Sequence, residues 1–210
     1  MGDLFAFALT AFVTLFVTIG PVETAAVYAM LTSGAHRPHR GELAWRSVAT
    51  AGALLLTFAF AGNPVLSWMH VSLSAFRFAA GVMLFLQAIN LVFSAPGGMS
   101  SISPAEEREA MGTRDIAVFP LAFPLIAGPG SLTAIVVLMG EADAVRGFIV
   151  VAALLVCLGL TYLALTGAER LGRLLGVTGA DVVGRVSGIL LAALAAQFLF
   201  DGLREARLFG

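Results

Sequence analysis

One carboxylate of this sequence lies inside an apolar stretch, two residues after a Gly-Pro pair. Glu23 follows Gly20-Pro21 within an apolar run that covers residues 4–31. If this run crosses a bilayer, a charge there costs roughly 2.5–3.5 kcal/mol on insertion scales, so the side chain usually faces a cavity or a partner. Glu23 is therefore a candidate proton carrier or amine-binding group. The alternative is a structural carboxyl that bonds backbone amides freed at the break.

A second Gly-Pro pair occupies a matching place in the later half of the chain. Gly128-Pro129, followed by Gly130, lies inside another apolar run, and each pair should kink or unwind its helix because proline removes a backbone donor. A half-helix that begins after such a break presents free N–H groups and a positive dipole end to an anion such as a carboxylate. Two matching breaks predict a cavity between the halves, and ordinary proline kinks are the alternative. Hydroxyls on or just after the breaks either bind a polar solute or bond back to their own helix: Thr24, Ser131 and Thr133.

The elements that must position these residues are membrane-spanning helices. The chain of 210 residues is 59% hydrophobic and 12% charged, whereas a soluble domain is roughly 45–50% apolar and 25% charged. A span needs roughly 20 mostly apolar residues. We therefore predict an all-α integral membrane protein, a single domain over residues 1–210, with six transmembrane helices of which the first and fourth are broken. The apolar runs fall at about 4–31, 47–69, 74–95, 115–139, 146–167 and 183–203.

The two halves of the chain repeat. Residues 19–27 match residues 127–135, and residues 81–84 match residues 188–191 at nearly the same spacing, which aligns Asn90 with Gln197. Because each half has three spans, the second half must enter the membrane from the opposite face, as an inverted repeat. The predicted boundaries are repeat one at 1–95, a cytoplasmic linker at 96–114 and repeat two at 115–210. The two amides are candidates for substrate contact, with interhelical hydrogen bonding the favoured role.

The distribution of arginine predicts the orientation. All twelve cationic side chains are Arg, and eight of them fall in or beside the loops after the first, third and fifth runs. Since loops rich in positive charge stay in the cytoplasm, both termini are predicted to face away from it.

Several function classes find no support in the residues. The chain has no H-E-x-x-H, no Lys for a phosphate loop and a single cysteine, Cys157, so we predict neither an enzyme nor a bound cofactor or metal. His36 and His39 stand among arginines and are interpreted as part of a solvated loop. A net charge of −1 gives no basic face for nucleic acid. The predicted partners are the lipid bilayer and a small solute, and apolar helix faces leave a homo-oligomer open.

Two segments carry a family resemblance. The stretch Phe12–Phe16 leading into Gly20-Pro21, and the stretch Ala117–Gly130, resemble the MarC family of bacterial inner-membrane proteins, and the similarity runs along essentially the whole chain. The resemblance implies a six-span, multi-pass protein of the inner membrane, and similar proteins are classed as transporters of small neutral amino acids. This chain departs from the commoner pattern, in which Asp directly precedes the first proline. Here Gly20 precedes it, and the carboxylate stands at Glu23.

The leading hypothesis is a secondary transporter of a small polar metabolite, with a neutral amino acid as the first choice, working by alternating access of the two halves. Glu23 would bind the amino group or carry a coupling proton. The alternatives are a non-transporting membrane scaffold or envelope-stress protein, and a channel. The candidate substrate-binding residues are Gly20, Pro21, Glu23, Thr24, Asn90, Gly128, Pro129, Gly130, Ser131, Thr133 and Gln197.

Overall fold

The protein folds into eight helices over the residues that the structure describes. The structure is a computed structural model, and it describes residues 2–32, 37–93, 116–140 and 142–206. The helices are α1 (Gly2–Ile19), α2 (Pro21–Leu31), α3 (Arg37–Trp68), α4 (Leu73–Phe93), α5 (Ala117–Ile126), α6 (Pro129–Gly140), α7 (Ala144–Thr166) and α8 (Ala168–Glu205).

The helices are long and apolar enough to cross a membrane five or six times. In the described part of the chain, α1 and α2 together form one such span, Gly2–Ala29, and single helices supply four more. The pair α5 and α6, bent by 55° at its break, is the sixth if it counts as one span. The prediction of an all-helical, multi-pass membrane protein is therefore confirmed.

Two predicted connections are in fact helical. The apolar runs leave residues 37–46 and 168–182 between predicted spans because charges end the runs there, yet α3 begins at Arg37 and α8 begins at Ala168. Charged residues end a hydrophobic run without ending a helix, since Arg and Glu are good helix formers. At 38 residues, α8 is about 57 Å long, so its first turns extend beyond a bilayer core of about 30 Å. The predicted linker at 96–114 lies outside the described residues.

Helix α5 is irregular because of its prolines. Phe119 and Phe123, which precede Pro120 and Pro124, have extended backbone with φ of −127° and −132°. A residue before proline is pushed out of the α region by the proline ring, so the chain here cannot form a continuous α-helix. The first part of the fourth predicted span is therefore a distorted segment rather than a plain half-helix.

Helices α4 and α8 form an antiparallel pair with close backbone contact. A Cβ added to Gly81 would lie 2.9 Å from the carbonyl oxygen of Ala195, and one added to Gly188 would lie 3.2 Å from the carbonyl oxygen of Ala88. Because Gly81 faces Ala195 while the later Ala88 faces the earlier Gly188, the two helices run in opposite directions. The small residues allow this approach, as is common where membrane helices pack.

Most of the other packed helix pairs match between the two halves of the chain. The packed pairs are α1 with α7 and α5 with α3; α2 with α7 and α6 with α3; α2 with α8 and α6 with α4; and α1 with α6 and α2 with α5. One buried apolar cluster joins α1, α2, α3, α5, α6 and α7, and a second lies between α4, α8 and Val137 of α6.

Ion pairs near the helix ends join the first half of the chain to the second. They sort the ends of the helices into two groups. In one group, an ion pair links the start of α3 to the start of α8. In the other group, one ion pair links the start of α1 to the start of α7, and another links the start of α4 to the end of α8. The pairs are Arg40 with Glu169, Asp3 with Arg146 at 3.4 Å, and Arg77 with Glu205.

Candidate solute site at the helix breaks

The first break is a single residue wide. α1 ends at Ile19 and α2 begins at Pro21, with Gly20 between them at φ +59°, a left-handed conformation that glycine adopts without steric cost. The N–H of Gly20 donates to Phe16 O at 3.0 Å, and the N–H of Thr24 donates to Gly20 O at 2.9 Å. The helix therefore resumes at once, and α1 and α2 stay on one path.

The carboxylate of Glu23 folds back over this break. A Cβ added to Gly20 would lie 3.1 Å from Glu23 Oε2, so the absence of a side chain at Gly20 makes room for the carboxylate. Glu23 Oε1 is buried and has no hydrogen-bond partner among the described residues. The side chain of Ser187, on α8, lies near the carboxylate. A group from each half of the chain thus meets at the first turn of α2.

The second break is wider and more strongly bent. Ala127 and Gly128 separate α5 from α6, and the N–H of Ala127 donates to Ala122 O at 2.8 Å. A Cβ added to Gly128 would lie 2.4 Å from Pro124 O, so only glycine fits there. A Cβ added to Gly130 would lie 2.6 Å from Gln87 Oε1, which brings the amide of Gln87, on α4, to the first turn of α6.

One hydroxyl at each break closes the gap in the backbone hydrogen bonds. Thr24 Oγ1 donates to Ile19 O at 3.3 Å, and Ser131 Oγ donates to Ile126 O at 2.8 Å, each to the carbonyl five residues earlier. Such carbonyls lose their helical partner at a break and would otherwise be unsatisfied. Thr133 Oγ1 donates to Pro129 O at 2.8 Å. In this conformation all three hydroxyls bond back to the main chain, which is the alternative that the sequence left open.

The helices that carry the two breaks pack on one another. α1 packs on α6 and α2 packs on α5, while α8 lies on α2 and α4 lies on α6. The antiparallel register of α4 and α8 places Gln87 and Ser187 within about one helical turn of the same level. Ser187 therefore lies near Glu23 at the start of α2, and Gln87 lies at the start of α6.

Gln87 and Ser187 were not among the residues that the sequence predicted. The repeat instead selected Asn90 and Gln197, which the structure places on exposed faces of α4 and α8, with Gln197 Nε2 donating to Asp201 Oδ1 at 2.9 Å. The structure does not bring these two amides to the breaks. Helical spacing contained the missing signal, because Gln87 lies three positions after the buried Leu84 and on the same side of the helix.

No group of three or more potential metal ligands occurs among the described residues. His36 lies outside them, and the side chain of His39 is not described. The arrangement at the breaks includes one carboxylate, several hydroxyls, an amide and two helix starts. It can bind a small polar solute by hydrogen bonds and charge.

Comparison with known proteins gives one consistent family. A family described as "MarC family integral membrane protein" matches residues 5–207. A UPF0056 membrane protein of Methanocaldococcus jannaschii is 37% identical over 201 residues, which cover 95% of this chain and 97% of that protein. A UPF0056 membrane protein of Archaeoglobus fulgidus is 32% identical, over 95% of this chain and 93% of that protein.

A bacterial relative carries a statement of location in its name. The UPF0056 inner membrane protein YhgN of Escherichia coli is 29% identical over 196 residues, which cover 93% of this chain and 95% of that protein. No solved structure matches the chain.

Proposed function

Since this chain belongs to the MarC family of integral membrane proteins, we propose that it is a secondary transporter of a small polar metabolite, a neutral amino acid first among them. Alternating access of the two halves would carry the solute, which would bind between the breaks at Gly20-Pro21 and Gly128-Pro129-Gly130. Glu23 would hold the amino group or carry a coupling proton.

The observation that carries this proposal is the Glu23 carboxylate in the first turn of α2. Its Oε1 atom is buried without a hydrogen-bond partner among the described residues, inside the span Gly2–Ala29. The first N–H groups of α2 and α6 have no partner within their own helices, and the helix dipoles place partial positive charge there. A negative group next to positive helix ends matches a zwitterion, whose ammonium and carboxylate need opposite partners a few ångströms apart.

The packing supports two inverted halves. Exchanging α1 with α5, α2 with α6, α3 with α7 and α4 with α8 turns each helix pair named above into another pair of the same molecule. The same exchange turns the contact of Gly81 with Ala195 into that of Gly188 with Ala88. Because α4 and α8 are antiparallel, halves related in this way are inverted with respect to the membrane. Transporters built from such repeats bind substrate near the repeat interface.

The proposal includes the membrane in which the protein resides and the side on which its termini lie. YhgN is named as an inner membrane protein, and we place this chain in the corresponding plasma membrane with both termini on the outer side. The helix ends joined by Arg40 and Glu169 would then be cytoplasmic.

One observation favours the rival function, a membrane scaffold that transports nothing. The hydroxyls of Thr24, Ser131 and Thr133 all bond to main-chain carbonyls, as a purely structural break requires. In a transporter, one of them would exchange its carbonyl for the solute when the halves move.

The test is a binding screen followed by flux. Purified protein is heated with a panel of amino acids and other small metabolites, since a solute that binds the folded state raises its stability by mass action. The best solute is then used in liposome uptake by the wild type and by Glu23→Gln, with Glu42→Gln as the matched control because Glu42 is an exposed carboxylate on α3. Transport reduced in Glu23→Gln alone supports the proposal. A flat panel with no uptake favours the scaffold, and uptake that does not saturate indicates a channel.

A further inference from the structure

A cavity lies between the two halves, away from the breaks. It has a volume of about 610 Å³ and opens where the end of α2 and the start of α3 meet the corner between α7 and α8. This size falls in the range of roughly 300–1,000 Å³ that is usual for small-molecule sites. The residues that line it include Tyr28, Thr32, Arg40, Leu163, Glu169 and Arg170.

The charged groups of the cavity favour an anion. Arg40 pairs with Glu169 across the seam between the halves, so these two charges offset each other. Arg170 also lines the cavity and is exposed, and it gives the described part of the lining a net positive charge. The first turn of α8, which supplies Ala168, Glu169 and Arg170, adds the positive end of a long helix. Guanidinium groups bind phosphate oxygens with two parallel hydrogen bonds, which makes Arg the usual phosphate partner.

The walls of the cavity are apolar on the side of the membrane. Leu163 is 65% exposed although it belongs to α7, the most hydrophobic of the candidate spans, so its side chain faces the surrounding lipid. The cavity lies at the ends of α2 and α7, and a bilayer spanned by these two helices would have its headgroups at their ends. Its polar floor and lipid-facing wall match a molecule with a charged head and a hydrocarbon tail.

We infer that this cavity binds the phosphate group of an anionic phospholipid, with Arg170 and Arg40 as its partners and Leu163 against the acyl chain. Basic pockets between membrane helices on the cytoplasmic side are known to take such headgroups. The bound lipid would bridge α2 and α3 to α7 and α8, and so would stabilise the arrangement in which Arg40 and Glu169 are paired. The site does not depend on transport at the breaks. A soluble phosphate ester shares the headgroup chemistry, so the experiment separates the two sources.

The chain provides its own fluorescent reporter for the test. It has two tryptophans, and Trp45 lies on α3 about 7.5 Å along the helix from Arg40, while Trp68 stands at the other end of that helix. Trp68→Phe therefore leaves Trp45 as the only tryptophan. The full chain is reconstituted into phosphatidylcholine vesicles with about a tenth of the lipid as brominated phosphatidylglycerol, and in parallel with brominated phosphatidylcholine, because bromine quenches a tryptophan only at close range. We expect stronger quenching by the anionic lipid.

Two substitutions decide whether this excess comes from the cavity. Arg170→Gln should weaken the apparent affinity for the anionic lipid about fivefold. Arg46→Gln, on the same helix as Trp45 but outside the cavity lining, should leave it unchanged. Equal quenching by both lipids, or an excess that survives Arg170→Gln, would overturn the inference. Glycerol phosphate at millimolar concentration then identifies the source. If it does not relieve the quenching, the ligand is the lipid, and if it does, the site takes a soluble phosphate and the lipid assignment is wrong.

Discussion

At the scale of single residues, Gly128 determines whether the second break can form. A Cβ there would lie 2.4 Å from Pro124 O, a backbone atom that cannot turn aside. We expect Gly128→Ala to cost about 3 kcal/mol, because overpacking against fixed atoms distorts the chain, and so to lower the melting temperature in detergent by roughly 6–12 °C. Gly159→Ala is the control, since no atom lies within 4 Å of its added Cβ. An unchanged melting temperature for Gly128→Ala would mean that the break is looser than described.

A second residue-scale prediction concerns the hydroxyl of Thr24. Thr24→Val removes the donor that satisfies Ile19 O at the break, so we expect a loss of about 1 kcal/mol in the free energy of unfolding. Thr57→Val is the control, because it removes a similar hydroxyl from an exposed position in a continuous helix. Ala53 O, which accepts from that hydroxyl, already has a backbone partner, so the free energy of unfolding should change by less than about 0.5 kcal/mol. Denaturation of both variants measures the difference. If Thr24→Val keeps full stability while solute affinity falls, the hydroxyl serves the solute and not the break.

At the scale of elements, the crossing of α4 and α8 depends on two equivalent glycines. Gly81→Ala and Gly188→Ala each place a Cβ against the facing helix, and each should cost about 2 kcal/mol. Because either substitution pushes the helices apart, the second should cost less in the presence of the first, with a coupling of about 0.5 kcal/mol or more. Gly184→Ala, with open space around its Cβ, is the control on α8. If the stability losses of the two single variants simply add in the double variant, the two contacts adjust independently of each other.

The elements also mark the limit of prediction from sequence. Apolar runs located every span, because lipid demands them, but they could not locate the starts of α3 and α8, whose first turns carry charge. The glycines and prolines predicted both breaks, since their effect on the backbone is local. The partners of the breaks depend on how α4 and α8 face α6 and α2, which is a tertiary property. Aligning the two repeats by sequence therefore selected Asn90 and Gln197. In the structure, the rotation of α4 and α8 about their axes instead turns Gln87 and Ser187 toward the breaks.

At the scale of the whole molecule, the ion pairs at the helix ends decide which parts of the chain share a side of the membrane. Two ion pairs define the first group of helix ends, which contains the starts of α1, α4 and α7 and the end of α8. These pairs are Asp3 with Arg146 and Arg77 with Glu205. Arg40 with Glu169 gathers the starts of α3 and α8 at the opposite end, where Arg185 Nη1 also donates to Val92 O at 3.1 Å. The arginine count predicts Arg185 on the cytoplasmic side and Arg77 on the other side, and their contacts place the two residues in different groups.

These groups predict the pattern of labelling by a thiol reagent that does not cross membranes. Cys157→Ala removes the single, buried cysteine, and one new cysteine is then introduced at an exposed position: Asp3, Asp143 or Arg204 in the first group, and Glu42 or Thr166 in the second. Because the second group lies on the arginine-rich side, we expect intact cells to be labelled at the first three positions and at the other two only after permeabilisation. The reverse pattern would mean that the arginine bias misjudges the orientation while the grouping stands. Labelling of Asp3→Cys and Arg204→Cys from opposite sides would contradict the grouping itself, and with it the inverted halves, because an even number of crossings keeps both termini on one side.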